Sequence, residues 1–297
     1  MINSVDEQVM ADIELIAPTK QKEWGWPAAA NFTLSGGGTG FYLFIFLTMI
    51  FENPNSALND PIPYWMVAPV LVVFGFLCLI IEAGRPLRSF YLFRRLAKAW
   101  ISREILAFAF FVLTVILDHF FPHLIFRVCA ASSSLFFMVA QGFILYSSRA
   151  IPVWNLSIIP LFFLSSGLAS GAGLALLFAS SGRSVIEGGL QLLSMACIIW
   201  NLIVWLFYLR WSNTVDFQSA TKALYRPFMI FFIIVFGHAM PILILLLLRI
   251  RSFPDVGAMP EGVFTMVSGL AIITGVIAQK ASIVLSSGFT GKVILRS

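Results

Sequence analysis

The sequence predicts an all-α integral membrane protein with eight transmembrane helices, and three observations carry that prediction. The 297 residues are 59% hydrophobic and 11% charged, with a mean hydropathy of +0.92, whereas a soluble domain carries about 25% charge. The apolar residues gather into eight runs, each near the twenty or so residues that a helix needs to cross the hydrocarbon core. Within those runs apolar residues are continuous and do not alternate with polar ones, which argues against a β-barrel. In such a chain the net charge of +5 does not point to nucleic acid. What matters is where Lys and Arg lie relative to the spans.

Residues 1–27 read as a tail that mixes acids with apolar residues. It lacks a basic leader and a continuous apolar run, so it is neither a secretory nor a twin-arginine signal, and one short amphipathic helix is expected in it. The membrane domain, 28–285, follows. Its spans run from Ala28 to Phe51, Tyr64 to Ile81, Ile101 to Leu117, Leu124 to Ser147, Trp154 to Ser180, Val185 to Leu209, Pro227 to Leu248 and Val263 to Leu285; residues 286–297 form a C-terminal tail. Short connections make neighbouring helices antiparallel.

Eight spans place both tails on one side. That side, with the second, fourth and sixth connections, holds fourteen Lys and Arg against four on the other, Lys280 inside the last span being left out. The positive-inside rule therefore predicts cytoplasmic termini in a multi-pass membrane protein. The second connection is the densest: EAGRPLRSFYLFRRLAKAWISRE, Glu82 to Glu104, carries Arg85, Arg88, Arg94, Arg95, Lys98 and Arg103. Basic residues beside a membrane attract anionic headgroups, and guanidinium groups also hold carboxylate or carbonyl oxygens of a partner.

Small residues recur in two spans, Ser35, Gly36, Gly37, Gly38 and Gly40 in the first and Gly167, Ser170, Gly171 and Gly173 in the fifth. They suit close helix packing, and in the first span they also suit a flat ligand laid beside the backbone. Cys78, Cys129 and Cys197 are scattered through apolar runs and read as packing residues. His119, His123 and His238 do not supply the facing pairs that a bis-His haem needs, and there is no Rossmann fingerprint or P-loop. Ionisable and polar groups at the span ends remain: Asn31, Glu82, Arg103 and Glu104, with Trp24, Trp26, Trp100 and Trp154 at the same interface. Charges at a membrane interior are functional by default, whereas Trp at an interface is usual.

Three stretches, WGWPAAANFTLSGGGTGFYLF, EAGRPLRSFYLFRRLAKAWISREI and YSSRAIPVWNLSIIPLFFLSSGLASG, resemble the membrane-anchor subunits of the dimethyl-sulfoxide-reductase type, within the polysulfide-reductase anchor superfamily. The likeness covers about the first 180 residues; beyond them it rests on span number and hydropathy. It implies an eight-helix anchor without haem or an iron–sulfur cluster of its own, in a bacterial or archaeal cytoplasmic membrane and serving anaerobic respiration. Its partners are then an iron–sulfur electron-transfer subunit and a molybdopterin catalytic subunit, and its ligand is menaquinone or ubiquinone. It further implies a quinone site in the N-terminal four-helix bundle, with Glu82 as the catalytic proton carrier and Asn31, Arg85, Arg88, Arg103, Glu104 and Tyr146 binding. Asn31 orients the head group, Glu104 pairs with Arg103 or Arg85, and Tyr146 donates to a quinone carbonyl. With the basic side cytoplasmic, electrons from a cytoplasmic substrate would reduce quinone. A transporter, or a purely structural anchor without quinone turnover, is the alternative.

Overall fold

The computed structural model describes residues 13–16, 19–22, 24–52, 66–82, 99–180, 189–250, 261–290 and 293–296. Eight apolar helices lie among them: α1 Trp26–Glu52, α2 Val67–Glu82, α3 Trp100–Phe120, α4 Leu124–Tyr146, α5 Ile159–Ala179, α6 Gly189–Leu209, α7 Pro227–Ile250 and α8 Glu261–Ser286. Seven are long and apolar enough to cross a membrane; α2, with 16 residues, is an apolar helix below that length. The fifth span starts later than its hydropathy suggests. Residues 151–158 form turns, and the helix begins at Ile159 with Pro160 in its first turn, where a missing N–H does no harm.

α1 and α5 form the centre. Apolar around their whole circumference, they are the most buried spans, as such helices must be. α1 packs on α2, α4 and α5, and α5 packs also on α6 and α8, while α3 lies against α4 and α7 against α8. The outer helices turn apolar side chains outward; on α2, Val70, Phe74, Leu77 and Ile81 form one exposed stripe, suited to lipid.

The small residues are where backbones meet. α1 and α5 cross at Gly40, Gly167 and Gly171, where a Cβ on Gly40 would strike the Gly167 backbone and one on Gly171 the backbone of Gly40. α5 meets α8 at Gly173 and Gly269, and α7 meets α8 at Gly237 and Gly275. The space beside Gly36, which the sequence left open for a flat ligand, is taken by Lys280 and Gln141.

α7 is wound as a π-helix from Phe231 to Ala239. Pro241 has no N–H for the carbonyl of Gly237, and the rewound segment lies just before it. At the bundle end where α1 starts and α8 finishes, the tails pair. Strand β1, Ile13–Ile16, runs antiparallel to β2, Val293–Arg296; Thr290 N donates to Thr19 O at 2.9 Å and Gln21 N to Gly288 O at 2.8 Å. The amphipathic helix expected in the N-terminal tail is thus replaced, at residues 13–16, by a strand held from the other tail; residues 1–12 lie outside the described ones.

Candidate functional site

One turn into α1, at the same end of the bundle, the side chain of Asn31 turns into the protein and is 1% exposed. Its Oδ1 accepts from Ser35 Oγ at 2.8 Å, and that hydroxyl also lies 3.3 Å from the carbonyl of Val72 on α2. Gly75 makes this approach possible, since a Cβ there would collide with Ser35 Oγ and stand 3.1 Å from Asn31 Oδ1.

Glu104, one turn into α3, completes the cluster. It is 1% exposed; Gln141 of α4 donates to it from Nε2 at 3.1 Å, and the Asn31 side chain hydrogen-bonds to it as well. A carboxyl group in an apolar interior needs such donors, because an unsatisfied polar group there is costly. Four helices thus meet through one hydrogen-bonded chain: Val72 carbonyl and Gly75 of α2, Ser35 and Asn31 of α1, Glu104 of α3 and Gln141 of α4.

α8 adds a cation. Lys280 is fully buried; its Nζ donates to the carbonyl of Phe32 at 2.8 Å and lies 5.4 Å from the centre of the Phe163 ring. Lys280 and Gln141 are the residues that sequence reasoning missed. Lys280 was set aside as an uncounted charge within a span, and Gln141 was passed over in the apolar run LFFMVAQGFILY. The signal in both cases was a strong hydrogen-bonding side chain within an otherwise apolar helix.

The other expected site residues divide. Asn31 and Glu104 are brought together. Arg103, one residue before Glu104 and so on another face of α3, lies over the Trp100 ring at 4.3 Å; of the partners expected for Glu104, Arg103 or Arg85, the second lies outside the described residues, and the partners described are Gln141 and Asn31. Trp100 stacks on Phe143 at 4.3 Å, and Phe143 meets Tyr146 edge-on at 5.9 Å. Tyr146 therefore belongs to an aromatic stack beside the cluster. Its backbone carbonyl accepts from Asn155. Glu82 closes α2, but its side chain lies outside the described residues, as do Arg85 and Arg88. Trp154 departs from the interfacial role expected of it: it is 1% exposed, and its Nε1 donates to Ile283 O at 3.0 Å, tying the α4–α5 connection to the end of α8.

Two further polar groups lie elsewhere. At the opposite end of the bundle Arg127 Nε donates to both carboxylate oxygens of Asp118, at 3.1 and 3.2 Å, with both side chains buried. Arg127 stands in the first turn of α4, at the start of the span expected from Leu124. On α7, His238 places Nδ1 2.6 Å from Ile233 O and Nε2 2.8 Å from Asn201 Oδ1, and Asn201 donates to Ser165 Oγ at 3.1 Å. Both ring nitrogens are engaged by the fold. Among the described residues, no three His, Cys, Asp or Glu gather to hold a metal ion.

The model of the family "DMSO reductase anchor subunit (DmsC)" matches residues 23–276. The chain belongs to the DMSO reductase anchor subunit family. The match extends well past residue 180, so the C-terminal helices belong to the family pattern as well. Asn31, Glu104 and Gln141 fall within it, and Lys280 lies just beyond. A search of curated proteins returned no significant match. As a DMSO reductase-type anchor, the chain is a multi-pass membrane subunit of a complex with catalytic and electron-transfer subunits. Chemically, the cluster offers an acid, two amides and a hydroxyl joined by hydrogen bonds, with a buried cation beside Gly36: groups that bind carbonyl oxygens and hold or move protons.

Proposed function

We propose that the chain is the quinone-reactive anchor of a molybdenum/iron–sulfur oxidoreductase, passing electrons from an iron–sulfur partner subunit to the membrane quinone pool. The observation that carries this reading is the buried Asn31–Glu104–Gln141 cluster at one end of the bundle of a chain in this anchor family. Quinone, when bound, takes two electrons and two protons. The chain's own part is to hold the head group and deliver protons. Glu104 is the buried acid, oriented by two amide donors, and Asn31 and Gln141 have the hydrogen-bonding groups to fix a carbonyl oxygen. Glu82, at the end of α2, and Arg85 and Arg88, outside the described residues, keep the role their motif implies, with Glu82 as the proton carrier to water. The Trp100–Phe143–Tyr146 stack walls the flank.

Direction follows from topology. The excess of Lys and Arg at the end where the tails pair supports cytoplasmic termini, and the cluster lies at that end. The iron–sulfur and molybdopterin subunits then dock from the cytoplasm, and quinone is reduced with electrons from a cytoplasmic substrate.

The test uses the intact membrane complex. Glu104→Gln, and separately Glu82→Gln, should lower quinone reduction to about one hundredth or less, the scale of a lost proton-transfer group, while activity of the catalytic subunit with an artificial dye persists. Unchanged quinone turnover in Glu104→Gln would remove the cluster from the function.

A further inference from the structure

Lys280 has no part in the proposed site as the family motifs give it, yet it is a fully buried cation in an otherwise apolar helix. An ammonium carried into a membrane helix is costly to bury, and Lys280, towards the end of α8, is 0% exposed. An ammonium has three N–H donors. One reaches Phe32 O, and the Phe163 ring lies on another side. On the side of Gly36, the point where a Cβ would stand is 2.5 Å from Lys280 Nζ and 3.0 Å from Gln141 Oε1. That amide oxygen is buried and accepts no hydrogen bond among the described residues, while the other end of the same amide donates to Glu104.

The Gln141 amide gives its N–H₂ to the carboxylate, and its C=O shares the space beside Gly36 with the Lys280 ammonium without a hydrogen bond between them. That is the orientation electrostatics favours, since the reverse would set N–H donors against an ammonium and a carbonyl against a carboxylate. Gly36 is what lets the groups converge. We propose that Lys280 is a positioning residue of the site: a cation on the far side of the Gln141 amide, it holds that amide, and through it Glu104, aligned for proton transfer. This rests on the quinone reading above, and it gives the C-terminal half of the chain a part in a site built otherwise on α1 to α4. The competing explanation is purely structural, with Lys280 serving only to tie α8 to the Phe32 carbonyl.

The two are separated by Lys280→Met and Lys280→Arg in the intact complex, with quinone titrated and dye activity as the internal reference. We expect Lys280→Met to lower kcat for quinone at least tenfold with KM within threefold, and Lys280→Arg to recover most of kcat. Native kcat in Lys280→Met overturns the proposal, as does equal impairment in both variants at equal amounts of complex in the membrane. Should Lys280→Met fail to assemble, the pair Glu104→Gln with Lys280→Met decides: recovered assembly supports mutual compensation, and continued loss overturns it. Native quinone turnover in Glu104→Gln alone would instead bring down the quinone reading of the cluster, whatever Lys280 does.

Discussion

At the scale of single residues, the interior carries two sets of opposite charges, arranged differently. Asp118 and Arg127 touch directly; Glu104 and Lys280 are separated by an amide. A direct buried pair loses about 3–5 kcal/mol when one partner is removed, and much less when both become apolar. Arg127→Met should therefore lower the thermal midpoint of the purified complex clearly, and adding Asp118→Leu should restore most of it; an additive loss in the double variant would contradict the pairing. Quinone turnover should not follow these changes, since the pair lies at the far end of the bundle. Of the cluster, Asn31 and Glu104 were legible in the sequence because they stand at span ends, where polar residues draw notice. Gln141 and Lys280 were not, because hydropathy averages over a window and one amide or amine in an apolar helix scarcely moves the average. Arg103, next to Glu104 and so about 100° around the helix, stands over Trp100, a placement that depends on the turn of the helix and not on sequence proximity.

Among the helices, glycine sets the distances. The sequence alone supported both close packing and room for a ligand along the SGGG run, and the packing reading holds: Gly38 abuts the Ala68 carbonyl of α2, and Gly40 the backbone of α5. Overpacking of a fitted contact costs about 1–3 kcal/mol, and here the obstacle is backbone, which cannot rotate away. Gly40→Val should reduce the amount of folded anchor in the membrane, measured by detergent-resistant assembly, whereas Gly37→Ala, whose added carbon would make only an ordinary contact at 3.6 Å with Ser170, should leave it nearly unchanged. Helix bounds were readable to within a few residues where an apolar run ends in charge. The start of α5 was not, since Trp154 is apolar enough to extend the run and only the fold reveals that it is buried in a turn against α8.

For the whole molecule, the sequence showed an all-α membrane protein and the family, and the charge count predicted the side of the termini. A reporter fused after Ser297 should be active only in its cytoplasmic form; activity as a periplasmic reporter would reverse the orientation and with it the docking side. The pairing of β1 with β2 was not legible, as four-residue strands in tails carry no periodic signal, and neither was the central place of α5, which follows from packing partners far apart in the chain. That separation has a consequence in time. α1 runs parallel to α5, so Gly40 cannot meet Gly167 until more than a hundred further residues are made; at about 5–20 residues per second, the wait is on the order of ten seconds. Lys280 arrives later still. During synthesis Glu104 must sit in the nascent bundle with its amide donors but without its cation, so the insertion machinery, or the lipid interface, has to shelter a lone acid until the last helix is delivered.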